Sequence, residues 1–483
     1  MSGSRHAMRA RLARGIGTLR PRAWVAALAL ALAAPSAALL AQEESTVSPP
    51  RAVFRARAVD TLGSRARTPA SLDTATTEFD VNGVRVILRN NTANDVVAAN
   101  VYLLGGTQQV TARTAGIEPF LLAVAERGTK QFPKDALRRA LARFGSAVEV
   151  EATEDWTLVG LRTLRDAFDS SWAAFADQFV APQLDSSDVE QVREQFLAAA
   201  QQRRSDPDAY VAFLADSVRF AGHSYSIDPQ GTEESIASIT RAQLRSYHAS
   251  QFVKSRMLVV VVGNVDRRRV ERLVRGTLAT LPAGSYRWHA PAAPSAEAGA
   301  SVLIPRRLPT NYILGYYVGP VASSRDYAAL RVASAVLAGS LFSEIRSRRN
   351  LTYAVDAPFL ERAIATGGVY VTTVAPDTTL VLMRRELSML QTELLDPLAL
   401  RRLVQRFITD YFLKNETNAD QATFLARSAV YQGDYREASR FVDALRRVTP
   451  EDLQRVARAY MKDFRFAYLG DTTRVRREAL ERF

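Results

Sequence analysis

Two side chains in the second half of the sequence could act on a carbonyl group. Arg346 and Tyr353 lie seven residues apart, within the segment 339–355. A guanidinium and a phenol can both donate hydrogen bonds to a carbonyl oxygen while that oxygen gains negative charge. Residue types alone favour a simpler interpretation, in which the arginine is solvated and the tyrosine is a strand residue packed on the core. The neighbouring Arg348 and Arg349 leave open which arginine would act.

Cysteine and histidine, which supply the sulfur and nitrogen ligands of zinc, are absent or scarce. The chain has no cysteine, which excludes disulfides, thiolate catalysis and cysteine-ligated zinc. Its four histidines stand at positions 6, 223, 248 and 289, and no two of them are four residues apart, the spacing that places two ligands on one helix face. We interpret His223 as a turn residue and His248 as a helix-surface residue. The sequence therefore argues against a histidine-based metal site within this chain.

A short apolar helix is predicted in the segment 116–129. Its helix-forming apolar residues are Phe120, Leu121, Val124 and Ala125. Gly128 follows them at the position where glycine typically ends a helix. None of these side chains can bind a metal or transfer a proton.

This segment resembles the zinc-binding helix of the insulinase and pitrilysin peptidases, in which Gly-x-x-His-x-x-Glu-His precedes an apolar turn and Gly-Thr. On that pattern, Pro119 and Ala123 stand in place of the two histidine ligands, and Leu122 in place of the glutamate that acts as general base. The last ligand of the family is a glutamate on a later helix, and its position falls at Ala199. The resemblance therefore implies a chain with no zinc, no other cofactor and no catalytic residue, and so without peptidase activity on its own.

The resemblance covers about residues 77–478 and includes two further segments. His223-Ser224-Tyr225, followed by the segment 231–236, resembles the stretch before the last helix of the family's first domain. The segment around Arg346 and Tyr353 resembles the Arg/Tyr element of the family, which binds the substrate peptide and assists at the scissile carbonyl. With this surrounding sequence, the resemblance favours a functional role and implies that both residues bind substrate.

Length and a repeated pattern predict the domain organisation. With 483 residues, of which 47% are hydrophobic, the chain can bury more than one core. A threonine-capped helix, a buried strand and a glycine occur twice, from Thr240 to Gly263 and from Thr449 to Gly470. We therefore predict an α+β fold, with two homologous insulinase-like domains that form half of a clamshell after a signal peptide. The predicted segments are a signal peptide at 1–42, a flexible arm at 43–76, a first domain at 77–285, a Pro- and Ala-rich linker with few groups to bury at 286–300, and a second domain at 301–483.

Local patterns predict the elements of both domains. Asn82-Gly83 joins two alternating runs and is the strongest hairpin signal in the chain. Further strands of the first domain are predicted at 96–104, 147–152, 157–162 and 257–262, and helices at 134–144, 166–180, 185–204 and from Thr240. In the second domain we predict strands at 302–304 and 312–317, a helix at about 325–338 and a hairpin at about 352–374.

The positive charge of the chain is partly concentrated at its N-terminus. The formal net charge is +13, and residues 1–42 carry six arginines and no acid, so the remainder has a charge of about +7. These arginines precede an apolar run, Pro35 and small residues, which is the layout of a secretory signal. An uncleaved anchor is the alternative interpretation, since the apolar stretch approaches the roughly 20 residues that span a bilayer. The signal layout predicts a periplasmic protein that has no membrane contact beyond the signal peptide. The other arginines are scattered, so we expect no binding of nucleic acid.

The missing ligands and the retained Arg/Tyr element together indicate a function. In two-subunit members of the family, one chain carries the zinc and the other does not. The resemblance therefore implies a non-catalytic subunit that supplies substrate-binding residues to a zinc-bearing homologous partner and acts on a peptide or unfolded protein. The alternative is a catalytically inactive peptide-binding or scaffold protein that forms a homodimer. An active zinc peptidase with other ligands is a third interpretation, which the absence of a His/Glu cluster with ligand spacing disfavours.

Overall fold

The computed structural model of the chain describes residues 75–295 and 299–483. The predicted signal peptide at 1–42 lies outside the described residues, and so does the predicted arm except for its last two residues. The two described ranges contain two β-sheets, one in each half of the chain, with helices packed against both.

The first half alternates strands and helices. Its strands are β1 (Thr76–Val81), β2 (Val84–Asn90), β3 (Val96–Leu104), β4 (Ala147–Ala152), β5 (Trp156–Leu164) and β6 (Met257–Gly263). Its helices are α1 (Ile117–Ala125), α2 (Ala136–Arg143), α3 (Phe168–Val180), α4 (Ser186–Ser205), α5 (Pro207–Arg219), α6 (Glu233–Ser238), α7 (Arg241–Gln251) and α8 (Arg267–Arg275). The strands and helices predicted for this half are confirmed to within a few residues. Helices α5, α6 and α8 have no counterpart among the sequence predictions.

The first sheet has the order β1-β2-β6-β3-β5-β4. The predicted hairpin at Asn82-Gly83 is confirmed, since β1 and β2 are antiparallel and both turn residues have positive φ, at 50° and 93°. Strand β6 is parallel to β2 and antiparallel to β3, and each of its residues is buried. A strand buried on both faces explains the unbroken run of valines.

The second half repeats this arrangement. Its strands are β7 (Val302–Pro305), β8 (Asn311–Val321), β9 (Val355–Asp356), β10 (Phe359–Leu360), β11 (Ile364–Thr373) and β12 (Arg465–Gly470). Its helices are α9 (Asp326–Leu341), continued by a π-helical turn at Phe342–Ser347, α10 (Pro376–Thr392), α11 (Pro397–Lys414), α12 (Asn418–Tyr431), α13 (Glu437–Arg446), α14 (Pro450–Tyr460) and α15 (Arg477–Glu481). The second sheet has the order β10-β11-β8-β12-β7, and β9 also pairs with β11.

The predicted duplication is confirmed by topology. The first sheet has one parallel pair, β2 with β6, which is followed by the antiparallel strands β3 and β5. The second sheet has the parallel pair β7 with β12, which is followed by the antiparallel strands β8 and β11. Helices α7 and α14 both begin with a threonine capping box, at Thr240 and Thr449. Both β6 and β12 end in a glycine with nearly the same backbone angle, φ 153° at Gly263 and 154° at Gly470.

Each half places one helix on the sheet of the other half. Helix α5 of the first half packs on β8 and β12, where the buried residues are Val211, Ala215, Leu314, Tyr316, Ala467 and Leu469. Helix α12 of the second half packs on β3 and β6, where its apolar face is formed by Ala422, Leu425, Ala426, Ala429 and Val430. This exchange covers the second face of each sheet and joins the two halves through two apolar cores.

The predicted linker contributes to one of these cores. Tyr286 and Trp288 are partly buried against the cluster around α12, and the Trp288 ring centroid lies 6.1 Å from that of Tyr431. The expectation that this linker has few groups to bury is therefore wrong for its first residues. Aromatic rings at its start bury apolar area that the Pro- and Ala-rich remainder lacks.

The helix from Asp326 to Ser347 is the one helix among the described residues that is long and apolar enough to cross a membrane. More than half of its most apolar stretch is buried inside the protein, with Leu330 and Leu337 almost fully enclosed. Its apolar character is therefore accounted for by the core of the second half.

Candidate functional site

Helix α1 begins in a conformation that only glycine adopts easily. Gly116 has φ 80°, and a Cβ atom there would lie 2.7 Å from the carbonyl oxygen of Gln230. Pro119 lies in the first turn of the helix, where its missing N–H leaves no hydrogen bond unmade. The proline is therefore compatible with a regular helix at this position.

The four positions matched to zinc ligands and general base carry hydrocarbon side chains. Leu122 is buried, while Pro119, Ala123 and Ala199 are half-buried. Helix α1 packs on α4 at this point, and the Phe120 ring lies edge to face with that of Phe196, at 5.3 Å between centroids. An aromatic and aliphatic contact thus occupies the surface between these two helices.

These residues do not fit a zinc ion. Tetrahedral zinc in proteins takes nitrogen, oxygen or sulfur ligands from at least three side chains, and proline, leucine and alanine side chains offer none. Within 75–295 and 299–483, no group of three or more histidine, cysteine, aspartate or glutamate residues is placed to hold a metal ion. Two histidines are instead hydrogen-bonded to backbone carbonyls, His223 to Ala292 at 2.9 Å and His248 to Phe179 at 2.8 Å.

These two bonds give each histidine a structural place. His223 caps a short turn and also accepts a hydrogen bond from the Tyr225 amide, as expected of a turn residue. His248 is half-buried on α7, and its hydrogen bond to the Phe179 carbonyl ties this helix to the end of α3. Burial lowers the pKa of both imidazoles.

A buried ion pair holds helix α1 in place. The Glu118 carboxylate accepts hydrogen bonds from Arg256 Nη1 at 3.0 Å and from the Tyr247 hydroxyl at 2.9 Å. The two charged side chains are 5% and 1% exposed, and Arg256 Nε also donates to the Leu104 carbonyl. Burial alone would lower the pKa of Arg256, but the Glu118 carboxylate outweighs it, so the pKa is raised. The pair ties α1 to β3, α7 and the start of β6.

Arg346 lies in the π-helical turn at the end of α9 and is exposed. Its guanidinium carbon lies 5.2 Å from the centroid of the Phe342 ring. Arg348 and Arg349 both bind the buried Glu344 carboxylate, at 3.0 and 2.6 Å. Among the described residues, no carboxylate lies within ion-pair distance of Arg346, so it is the arginine of this turn that is free to bind another molecule.

Tyr353 projects into solvent, with 88% of its surface exposed. The backbone beside it is fixed, because Thr372 N–H donates to the Ala354 carbonyl at 2.9 Å and Thr373 Oγ1 donates to the Leu351 carbonyl at 3.0 Å. The alternative in which this tyrosine packs on the core is therefore wrong. Its hydroxyl makes no hydrogen bond to any described residue.

Backbone hydrogen bonds fix the segment that joins these two residues. The Leu351 N–H donates to the Ile345 carbonyl, and the Asn350 N–H donates to the Arg346 carbonyl, both at 3.0 Å. No direct bond joins the Arg346 and Tyr353 side chains within the described parts of the chain. The segment thus presents an exposed guanidinium and an exposed phenol, neither of which is hydrogen-bonded or ion-paired to a described residue.

A buried polar network connects the halves and was not predicted from the sequence. The Asp155 carboxylate accepts hydrogen bonds from the hydroxyls of Tyr225 and Tyr431, both at 2.7 Å, and from the Ala363 N–H at 2.8 Å. Burial raises the pKa of Asp155, although these hydrogen bonds oppose the shift. Two of the partners belong to the second half, so the carboxylate fixes the orientation of one half on the other.

Arg362 makes a second connection beside the first. Its guanidinium binds Asp216 at 2.7 Å and Glu154 at 2.6 Å, both in the first half. Burial alone would lower the pKa of Arg362, but the two carboxylates hold it well above its ordinary value. The partners lie 146 and 208 residues away in the sequence, so no local pattern could have indicated them.

Two family models match the chain. A model described as insulinase (peptidase family M16) matches residues 85–228, and a model described as peptidase M16 inactive domain matches residues 238–407. Between them the two segments reach from β2 to α11. The chain belongs to the M16 family.

Curated relatives and solved structures agree with this membership. An uncharacterized zinc protease of Mycobacterium leprae is 27% identical over 283 residues, which cover 56% of this chain and 63% of the relative. The mitochondrial-processing peptidase subunit beta of Blastocladiella emersonii is 24% identical over 257 residues, which cover 53% of this chain and 55% of the relative. The matches thus span between half and two thirds of these M16 relatives.

A solved M16 structure has the same fold. The M16 inactive domain protein of Pseudomonas fluorescens superposes with a TM-score of 0.74 and 20% identity, over 82% of this chain and 98% of the other. At this identity the likeness concerns the fold alone. This chain therefore has the duplicated M16 architecture. Its helix α1 lacks the zinc-binding side chains.

Proposed function

We propose that this M16 chain is a non-catalytic subunit that pairs with a zinc-bearing homologue and supplies Arg346 and Tyr353 to a peptide held between them. One observation carries the proposal. The positions matched to the metal site carry only hydrocarbon, whereas the matched Arg346 and Tyr353 are exposed. Among the described residues, neither side chain makes a hydrogen bond or an ion pair, and Arg346 contacts only the ring of Phe342. A chain that bound peptide without a zinc-bearing partner could not hydrolyse it by the chemistry of the family.

An open strand edge supports peptide binding. Strand β4 is the last strand of the first sheet, and of the described strands only β5 pairs with it. The unpaired N–H and C=O groups of such an edge can bind an extended peptide as an additional strand. Strand β4 also contacts α1, so a peptide added there would run beside the helix that carries Pro119 and Ala123.

The relatives support a paired arrangement. Two curated relatives are named as parts of larger assemblies, the mitochondrial-processing peptidase subunit beta and the cytochrome b-c1 complex subunit 1 of Homo sapiens. We propose a large interface with the partner, above the roughly 1,000 Å² that specific contacts bury. Because the sequence predicts a signal peptide, we also propose that this pair acts in the periplasm.

A mixing experiment tests the proposal. The chain without residues 1–42, a homologue from the same genome with an intact His-x-x-Glu-His motif, and an equimolar mixture are each incubated with a fluorogenic peptide library. We expect no hydrolysis by the chain alone and at least ten-fold faster hydrolysis by the mixture than by the homologue alone. Equal rates with and without the chain would contradict a subunit role and favour the homodimeric scaffold.

A further inference from the structure

The ring of Phe342 lies on the surface beside two fully buried residues. Leu341 and Ile345 are both 0% exposed and belong to the second core, whereas Phe342 is 46% exposed. Packing in the hydrophobic core therefore does not account for a phenylalanine at this position. The guanidinium of Arg346, four residues further on, covers the ring, with its central carbon 5.2 Å from the centroid.

This contact differs from those of the adjacent arginines. Arg348 and Arg349 use their in-plane donors to bind Glu344. Arg346 instead lies over the ring face, and a guanidinium in that position can keep its N–H groups free for another acceptor. The donors of Arg346 therefore remain available to a carbonyl or carboxylate of a bound peptide.

The backbone here is irregular in a way that often accompanies function. The turn Phe342–Ser347 is π-helical, and turns of this type frequently interrupt α-helices at functional sites. The turn contains both the ring and the guanidinium, and the hydrogen bonds from Asn350 and Leu351 tie it to the segment that presents Tyr353. The ring thus belongs to the same fixed unit as the two proposed substrate-binding residues.

We propose that Phe342 is a positioning residue, which holds the Arg346 guanidinium over its ring so that the N–H groups face the peptide. This inference rests on the proposed function, because it assigns how Arg346 is oriented for that role. The ring limits the conformations of a long side chain that makes no ion pair with any residue the structure describes. Arg346 then binds with less loss of side-chain entropy.

A double-mutant cycle tests the inference on the isolated chain. Binding of fluorescein-labelled β-casein, an unfolded polypeptide, is measured by anisotropy for wild type, Phe342→Leu, Arg346→Ala and the double variant. Phe342→Leu should weaken binding about 2–5-fold, the effect of losing one exposed cation–π contact. The same substitution should have no effect when Arg346 is already alanine.

Two further variants separate orientation from stability. Phe342→Trp keeps an aromatic face and should retain wild-type binding. Phe412→Leu changes another exposed phenylalanine, 58% exposed on α11, and should not alter binding. Thermal unfolding of all variants should match wild type, since the ring is not part of the core.

The outcomes distinguish the two proposals. If Phe342→Leu binds as tightly as wild type, or weakens binding equally with and without Arg346, the positioning role is refuted and the proposed function stands. If Arg346→Ala itself leaves binding unchanged, or if wild type does not bind the casein at all, the substrate-binding role of Arg346 fails and the inference fails with it.

Discussion

Removing the Glu118 carboxylate should destabilise the first half far more than removing an exposed acid. Glu118→Ala leaves Arg256 1% exposed, without its carboxylate partner, and leaves the Tyr247 hydroxyl without its acceptor. Breaking one side of a buried ion pair costs about 3–5 kcal/mol, because the remaining charge stays in a poorly solvated place. We expect a loss in that range, since the pair is 3.0 Å apart and almost fully enclosed.

Replacing both charges separates this penalty from the value of the pair. Glu118→Leu combined with Arg256→Met removes the buried charges together, and such replacements are often neutral or stabilising. The double variant should therefore recover most of the stability that Glu118→Ala loses. The hydrogen bond from Arg256 Nε to the Leu104 carbonyl is also lost, which limits the recovery by about 1 kcal/mol.

Urea unfolding followed by tryptophan fluorescence measures these changes. Trp156 and Trp172 lie in the first half and Trp288 packs against it, so the signal reports on this half. Glu78→Ala is the matched control, because it breaks a pair with Arg85 whose side chains are 37% and 33% exposed. Such pairs contribute about 0–1 kcal/mol.

Two results would refute the reasoning. A loss for Glu118→Ala no larger than that of the control would show that the buried pair does not hold α1. A double variant as unstable as the single one would show that local packing, and not an uncompensated charge, sets the cost.

Three further predictions concern the site, the metal and pH. In the proposed complex with a zinc-bearing partner, Arg346→Ala or Tyr353→Phe should lower turnover about 10²–10³-fold, the effect of losing one oxyanion-stabilising donor. Unchanged steady-state rates would show that the two residues have only a structural role. Elemental analysis should find no stoichiometric zinc in the purified chain, and one zinc per unaltered chain would contradict this. The variant Pro119→His, Leu122→Glu, Ala123→His should also lack stoichiometric zinc as long as Ala199 is not replaced by glutamate. Burial would raise the pKa of Glu361, but the charges of Arg331 and Arg427 outweigh it, so the pKa is lowered in the folded protein. The Glu361 carboxylate therefore stabilises the fold fully above its unfolded-state pKa, and this stabilisation is lost as pH falls through the folded-state pKa. In denaturation curves, the difference in unfolding free energy between wild type and Glu361→Gln should shrink over that acid range.

The local elements could be predicted because their signals are local. Asn82-Gly83 determines a hairpin, and a threonine three residues before a polar partner determines the starts of α7 and α14. The repeat of these signals was enough to predict a duplicated fold. Helix α5 was missed although its signals are also local: Asp206 caps it, Pro207 opens it, and its buried Val211 and Ala215 lie one turn apart.

Contacts between distant residues could not be predicted. Asp155 meets Tyr431 across 276 positions of sequence, and nothing in the neighbourhood of either residue indicates the other. The same holds for Glu118 and Arg256, where a carboxylate beside Pro119 gave no sign of its buried partner. For Arg346 and Tyr353, the sequence indicated the residues, and the structure added that both are exposed while Glu344 engages Arg348 and Arg349.

The proposed subunit role is tested most directly by isolating the affinity-tagged chain from the cells that produce it and measuring the mass and metal content of the intact assembly. Native mass spectrometry should show a heterodimer of this chain with a homologue that carries His-x-x-Glu-His, and elemental analysis should show one zinc per heterodimer. A monomer or a homodimer without zinc, at every concentration examined, would contradict the account.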